Sequence, residues 1–306
     1  MTTFEAILFT VVMASTPLLI AAIGELVAER AGVLNLGVEG MMAMGAVSAF
    51  VGAFLFQSTW IGIGFGMLAG GLMAALFAVA VLGFAANQVG AGLALTILGL
   101  GLSGVIGAPF VGERLPTTPR LEIPYLSDLP ILGSALFSQD IFVYLSLLLV
   151  AGVAWFLMGT RAGLRLRSVG ENHGSAHSLG LPVLKVRFMA VVFGGLCAGL
   201  AGAYLSLVYT RFWAPNMTAG RGWIAVALVV FAAWRPGWAL VGAYIFGTAT
   251  VLQLHAQAAQ FGLPSQFLSA VPYLATIIAL VILSARRGSS GVGAPGSLGQ
   301  PFVPDR

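Results

Sequence analysis

The stretch GELVAERAGVLNLGVEGMMAMG, residues 24–45, is an apolar run interrupted by glycines at 24, 32, 37 and 40. Asn35 and Glu39 lie four apart in it, so they share one turn of a helix. Glycine weakens a helix in water. In hydrocarbon, backbone that leaves the helix is tolerated only where it is buried in protein or lines a cavity. An ionisable side chain at that depth costs about 3 kcal/mol on insertion scales and therefore faces a partner or a water-filled route. Two readings stand open. In one, a discontinuous helix lines a polar route, with Asn35 and Glu39 on the substrate pathway. In the other, Glu39 sits near the membrane surface, where it reaches headgroups or caps a helix.

The rest of the chain supplies the membrane. Of 306 residues, 59% are hydrophobic and 8% charged, with a mean hydropathy of +0.99, the composition of a polytopic membrane protein. Forty-one glycines suit close packing of helices in lipid. The net charge of +4 does not point to nucleic acid, because the bases fall between apolar spans, as topology signals do. Cys197 is the single cysteine, which excludes an internal disulfide. The start, MTTFEAILFT, lacks the basic region of a cleaved signal and reads as a retained anchor.

A crossing needs about 20 apolar residues. The expected fold is all-α, with about nine spans at 4–23, 35–56, 60–83, 92–111, 141–159, 188–208, 219–234, 238–256 and 268–285. They make one transmembrane domain over 1–287. The seventh is short and reads as a half-helix or re-entrant element. Placing the polar loop 160–187 in the cytoplasm puts the N-terminus outside and ten of the fourteen bases inside. Residues 112–140 become the main external loop, and the Gly, Ser and Pro-rich tail 288–306 is expected to be disordered. Gly62, Gly66, Gly70, Ala74 and Ala78 recur every four residues as a packing stripe, within the chain or against a second copy.

A second break lies at 219–237, AGRGWIAVALVVFAAWRPG, where Arg221 and Arg235 bracket a short apolar helix. Breaks in opposite halves are the sequence pointer to the pathway of an inverted-repeat transporter; the alternative is a plain helical hairpin turned by Pro236. In the loop 160–187, Asn172 can cap a helix, His173 to Leu179 can supply two turns, Gly180 suits the left-handed position that follows, and Pro182 stops it. Ala176 and Leu179, three apart, form a small apolar face that resembles a plug for a groove on another protein. Arg161, Arg165, Arg167, Lys185 and Arg187 flank it, as anchors to anionic membrane lipids. The chain has no G-x-x-x-x-G-K-[ST] loop, so ATP-driven work needs a separate subunit. Without H-E-x-x-H or C-x-x-C, no metal site is expected.

At these residues the sequence resembles the permease subunits of bacterial ABC importers, in the branch for nucleosides and simple sugars that is related to branched-chain amino acid permeases. GELVAERAGVLNLGVEGMM resembles the opening of that branch. VGENHGSAHSLGL resembles its coupling segment, in which Gly170, Glu171, Asn172, Ala176 and Gly180 fit, while His173 stands where relatives usually carry proline. AGRGWIAVALVVFAAWRPGWALVGAYIFG resembles its late re-entrant region. The resemblance implies a multi-pass protein of the bacterial plasma (inner) membrane with no cofactor of its own. It also implies three partners: an ATP-binding subunit docked at the coupling segment, a second permease, and an extracellular binding lipoprotein that delivers a nucleoside or simple sugar. A secondary transporter or channel is the alternative. An intramembrane serine protease, built on Gly101-Leu102-Ser103-Gly104 with His255, is a remoter one.

Overall fold

The computed structural model describes residues 3–116, 137–258 and 293–303, with isolated positions between 267 and 281. Every regular element among the described residues is helical: α1 (Thr3–Arg30), α2 (Val38–Phe56), α3 (Thr59–Ala78), α4 (Gln88–Gly107), α5 (Ile141–Gly159), α6 (Arg161–Glu171), α7 (His173–Ser178), α8 (Val183–Tyr204), α9 (Arg221–Phe231) and α10 (Pro236–Ala258). Seven of these, all except α6, α7 and α9, are long and apolar enough to cross a membrane. Most of the expected ninth span, 268–285, lies outside the described residues, as does most of the external loop 112–140.

α8 stands at the centre, packed against α1, α2 and α3. Small residues permit this. A Cβ on Gly70 of α3 would stand 2.6 Å from the Cα of Gly199 on α8, so the two backbones touch directly. Gly62, from the same stripe, faces Ala49 and Ala53 of α2. The stripe is therefore spent inside this chain. α4 and α5 turn Ile97, Val105, Leu148 and Trp155 outward, as lipid-facing helices do.

α9 explains the short seventh span. Trp213 packs with Val47 and Phe50 of α2, and Thr218 reaches Glu39 at that helix's other end. The irregular segment 210–220 thus runs back along α2 from Phe50 to Glu39, about 16 Å at the helical rise of about 1.5 Å per residue of α2. α9, with 11 residues, adds about 16 Å more, and together they match a hydrocarbon core of about 30 Å. One crossing is half irregular and half helical. In the irregular half Trp213 and Thr218 are buried against α2, whereas Arg211, Phe212, Pro215, Asn216 and Ala219 are exposed.

Within 160–187 the structure has two helices where one was expected: α6 carries Arg161, Arg165 and Arg167, and α7 follows it. Thr160 caps α6 by accepting from the N–H of Gly163 at 3.0 Å, and Asn172 caps α7 by accepting from that of Ser175 at 2.9 Å. Gly180 has φ +79°, and the chain restarts as α8 after Pro182. The tail corrects its composition. Residues 293–303 lie against α6 and α7, with Ser297 and Phe302 buried, because one aromatic anchor and a few backbone bonds hold a segment that mean composition reads as disordered.

Candidate functional site

The first break, between α1 and α2, is closed by side chains. Asn35 is 1% exposed; its Oδ1 accepts from the N–H of Gly37 at 2.9 Å, and its own N–H donates to Glu25 Oε1 at 3.1 Å. The Leu34 N–H donates to Gln88 Oε1 at 2.8 Å, and Thr96 Oγ1 donates to the Leu36 carbonyl at 3.0 Å. Peptide groups released by the lost helical turn therefore find partners on α1 and α4.

Glu39 joins this break to the second one. It is 2% exposed and accepts from Thr218 Oγ1 at 2.5 Å, the Gly220 N–H at 2.8 Å and the Gly222 N–H at 2.6 Å. Gly220 and Gly222 supply N–H groups of the first turn of α9, which have no partner within their own helix. Glu39 thus acts as an N-cap supplied by another helix, and its carboxylate lies where the helix dipole favours negative charge. A Cβ on Gly222 would stand 2.5 Å from the Glu39 backbone, so the approach needs glycine. The carboxyl of Glu39 thus caps a helix about 180 residues away in sequence rather than its own.

The other end of α9 is held as well. Ala233 and Trp234 both take positive φ, 52° and 55°, in a turn where glycine would be cheaper. Trp234 Nε1 donates to Glu29 Oε2 at 2.6 Å, and Arg30 donates twice to the Trp234 carbonyl, at 3.0 and 2.9 Å. Sequence reasoning passed over Glu25 and Glu29. Both are buried, at 1% and 0% exposure, and Glu25 Oε2 and Glu29 Oε1 have no partner among the described residues. The signal was their spacing: four apart, they share the α1 face that meets both breaks.

On the face where α1, α6 and α9 end and α8 begins, segment 170–180 departs from expectation in the placing of Ala176 and Leu179. Ala176 and Leu179 do not share an exposed face. Ala176 is 3% exposed and packs with Val169, Val183 and Phe302, whereas Leu179 is 81% exposed. α7 ends at Ser178, so Leu179 already points off the helix. Gly170 and Glu171 end α6, and their carbonyls accept from the tail residue Ser297. Arg187 is a second correction. Among the five flanking bases it is 0% exposed, and it donates to the carbonyls of Ala31 at 3.1 Å and Gln300 at 3.1 Å instead of reaching lipid. Its Nη2 also lies 3.0 Å from His173 Nδ1. Burial and that cationic neighbour hold the His173 imidazole below its ordinary pKa of 6.5. Arg161, Arg165 and Lys185 are exposed.

Among the described residues nothing assembles a nucleophile. Ser103 Oγ donates to the Leu100 carbonyl, and His255 Nδ1 pairs with the Val251 carbonyl, each within its own helix. Among the described residues no cluster of His, Cys, Asp and Glu could hold a metal ion.

Residues 7–284 match the family model for the permease component of the branched-chain amino acid transport system. A putative glucose ABC transporter permease protein of Haloferax volcanii is 42% identical, over 95% of each chain. A nucleoside ABC transporter permease protein of Lactococcus lactis is 32% identical, over 92% of each chain. A guanosine ABC transporter permease protein of Bacillus subtilis is 32% identical, over 94% of this chain and 93% of its own.

Proposed function

Because the chain belongs to the family of branched-chain amino acid transport system permease components, we propose that it carries a neutral, hydroxyl-rich solute, a nucleoside or a simple sugar, across a prokaryotic plasma membrane. It is an ABC transporter permease, a transport component and not an enzyme. The observation that carries the solute class is the likeness, nearly end to end, to permeases named for glucose, nucleosides and guanosine. Its partners in this reading are an ATP-binding subunit, a second permease and an extracellular binding lipoprotein. The meeting of the two breaks at Glu39 supports an inverted-repeat arrangement in which α9 and the segment before it border the pathway. Asn35 and Glu39 then shape that border by fixing its backbone.

In this reading the ATP-binding subunit sits on α7, and exposed Leu179 is the contact. Leu179→Asp places an unpaired charge in a dry interface, which costs several kcal/mol of docking. The expected result is loss of co-elution with the ATP-binding subunit at unchanged thermal stability. Ala176→Asp does the reverse, unsettling the packing beneath α7 first. For the solute, cells carrying the whole importer are given tritiated guanosine or carbon-14 glucose. Uptake of either, lost on ATP depletion and kept when an ionophore collapses ion gradients, is the expected result. Uptake that follows the ion gradient establishes the secondary-transporter alternative.

A further inference from the structure

The junction between α6 and α7 is completed by a part of the chain more than a hundred residues away. α6 ends with carbonyls that its own helix cannot satisfy, and α7 begins with N–H groups in the same condition. Ser297 serves both. Its N–H donates to the Gly170 carbonyl at 2.9 Å, and its Oγ accepts from the His173 N–H at 3.1 Å and donates to the Glu171 carbonyl at 3.4 Å. Five residues on, Phe302 lies under α7. Its ring centroid is 5.1 Å from that of His173 and 5.4 Å from that of His177, one turn apart on that helix. It is 7% exposed and closes a small core with Val169, Ala176 and Val183.

The same segment reaches the bundle. The Gln300 carbonyl accepts from Arg187 Nη1 at 3.1 Å and from Gln88 Nε2 at 3.4 Å. Arg187 continues to the Ala31 carbonyl at the end of α1, and Gln88 continues to the Leu34 N–H inside the first break. α7 has only six residues and otherwise packs on its chain neighbours α6 and α8. His173 also meets Arg187 directly, and α6 itself packs on α1; residues 297–302 add the link through Gln300 to Gln88 and so to the first break.

We propose that residues 297–302 are a positioning strap for the coupling helix, tying α7 through Arg187 and Gln88 to the broken spans so that movement imposed on α7 is delivered to them. This rests on the preceding reading of α7 as the docking point of an ATP-binding subunit. Ser297 and Phe302 touch neither solute nor nucleotide; they act through α7. The strap travels with α7 and is never released from it during the cycle.

Two experiments test this. The first needs no partner subunit. With Cys197 replaced by alanine, His177→Cys and Phe302→Cys are joined by a short thiol cross-linker in membranes. Efficient joining is expected, and because the cross-link replaces the seat of the lost ring, the joined protein, assembled with its partners in proteoliposomes, transports at least as well as the unjoined one. Absence of joining, or joining that abolishes uptake, overturns the proposal, since the strap is then either not seated or has to let go. The second experiment compares Phe302→Ser, Phe302→Leu and a chain ending at residue 292 in the assembled importer. Solute moved per ATP hydrolysed is expected to fall about tenfold in the serine and shortened variants while the ATP-binding subunit still co-purifies, and to recover in the leucine variant. A ratio equal to that of the unmodified importer in all three overturns the proposal. Failure of the unmodified chain to capture any ATP-binding subunit counts instead against the reading of α7, which the cross-link does not depend on.

Discussion

Glu39 and Arg187 are two buried groups of opposite chemistry that do comparable work in different ways. Glu39 gathers three donors from one short segment, Thr218 to Gly222, and fixes a single helix start. Arg187 spreads its donors over three remote segments, at Ala31, His173 and Gln300. The first is a cap and the second a junction. A cap is a local rule transplanted from another helix, so losing it damages one element. A junction holds pieces that have no local reason to stay together, so losing it releases the piece with the least packing of its own, here the tail.

The largest expected effect is at the cap. Glu39→Leu leaves a hydroxyl and two N–H groups unpaired inside the bundle, where water does not replace the carboxylate, and should cost about 3 kcal/mol or more. Thermal unfolding in detergent measures it. Glu39→Gln, which keeps one accepting oxygen, should lose less. A leucine variant as stable as the unmodified protein would mean that the charge was lining an open route, where its removal relieves desolvation. Arg187→Met is expected to cost less, about 2 kcal/mol, because solvent at the membrane surface reaches part of what it leaves behind. Its signature is local. Limited proteolysis should cut within 293–303 in this variant and spare the Glu39 variants, and equal cleavage in both would dissolve the contrast between cap and junction.

The smallest effect is in pH. His173 has its pKa lowered in the folded protein, so the unfolded chain binds the proton more readily. Stability from this group is complete above about pH 6.5 and declines as pH falls below it, while protonation also denies Arg187 an acceptor at Nδ1. His173→Gln should flatten the slope between pH 5 and 7, read as Tm against pH. A slope unchanged by the substitution assigns it to other groups.

The sequence carried whatever depends on short-range rules. Asn172 as a cap, Gly180 and Pro182 as stops, and the glycines that let α3 meet α8 were all legible, because each rule links a residue to neighbours within a turn or two. The two breaks were legible too, as coincidences of glycine with a polar side chain. Their contact was not, because 180 residues separate Glu39 from the groups it caps and nothing in the periodicity of either segment names the other. Glu25 and Glu29 were passed over for a related reason: nothing near them in sequence shows that the second break folds over them. Ala176 and Leu179 show the limit of helical arithmetic on a six-residue helix, where the last counted position has already left the spiral.

The seam between α3 and α8 has a mechanical consequence. Where Gly66 and Gly70 meet Gly195 and Gly199, backbone rests on backbone and no side chain intervenes to change rotamer. Such a contact does not yield by degrees: a slide of one residue drives a neighbouring side chain into a main chain, so the two helices behave as one stiff beam. In a machine that must open to opposite sides in turn, a stiff beam is the frame. α9 is fixed to that frame differently, by Glu39 at one end, by the left-handed turn at Trp234 at the other, and by Ile224, Ala225, Leu228 and Val229 buried between them.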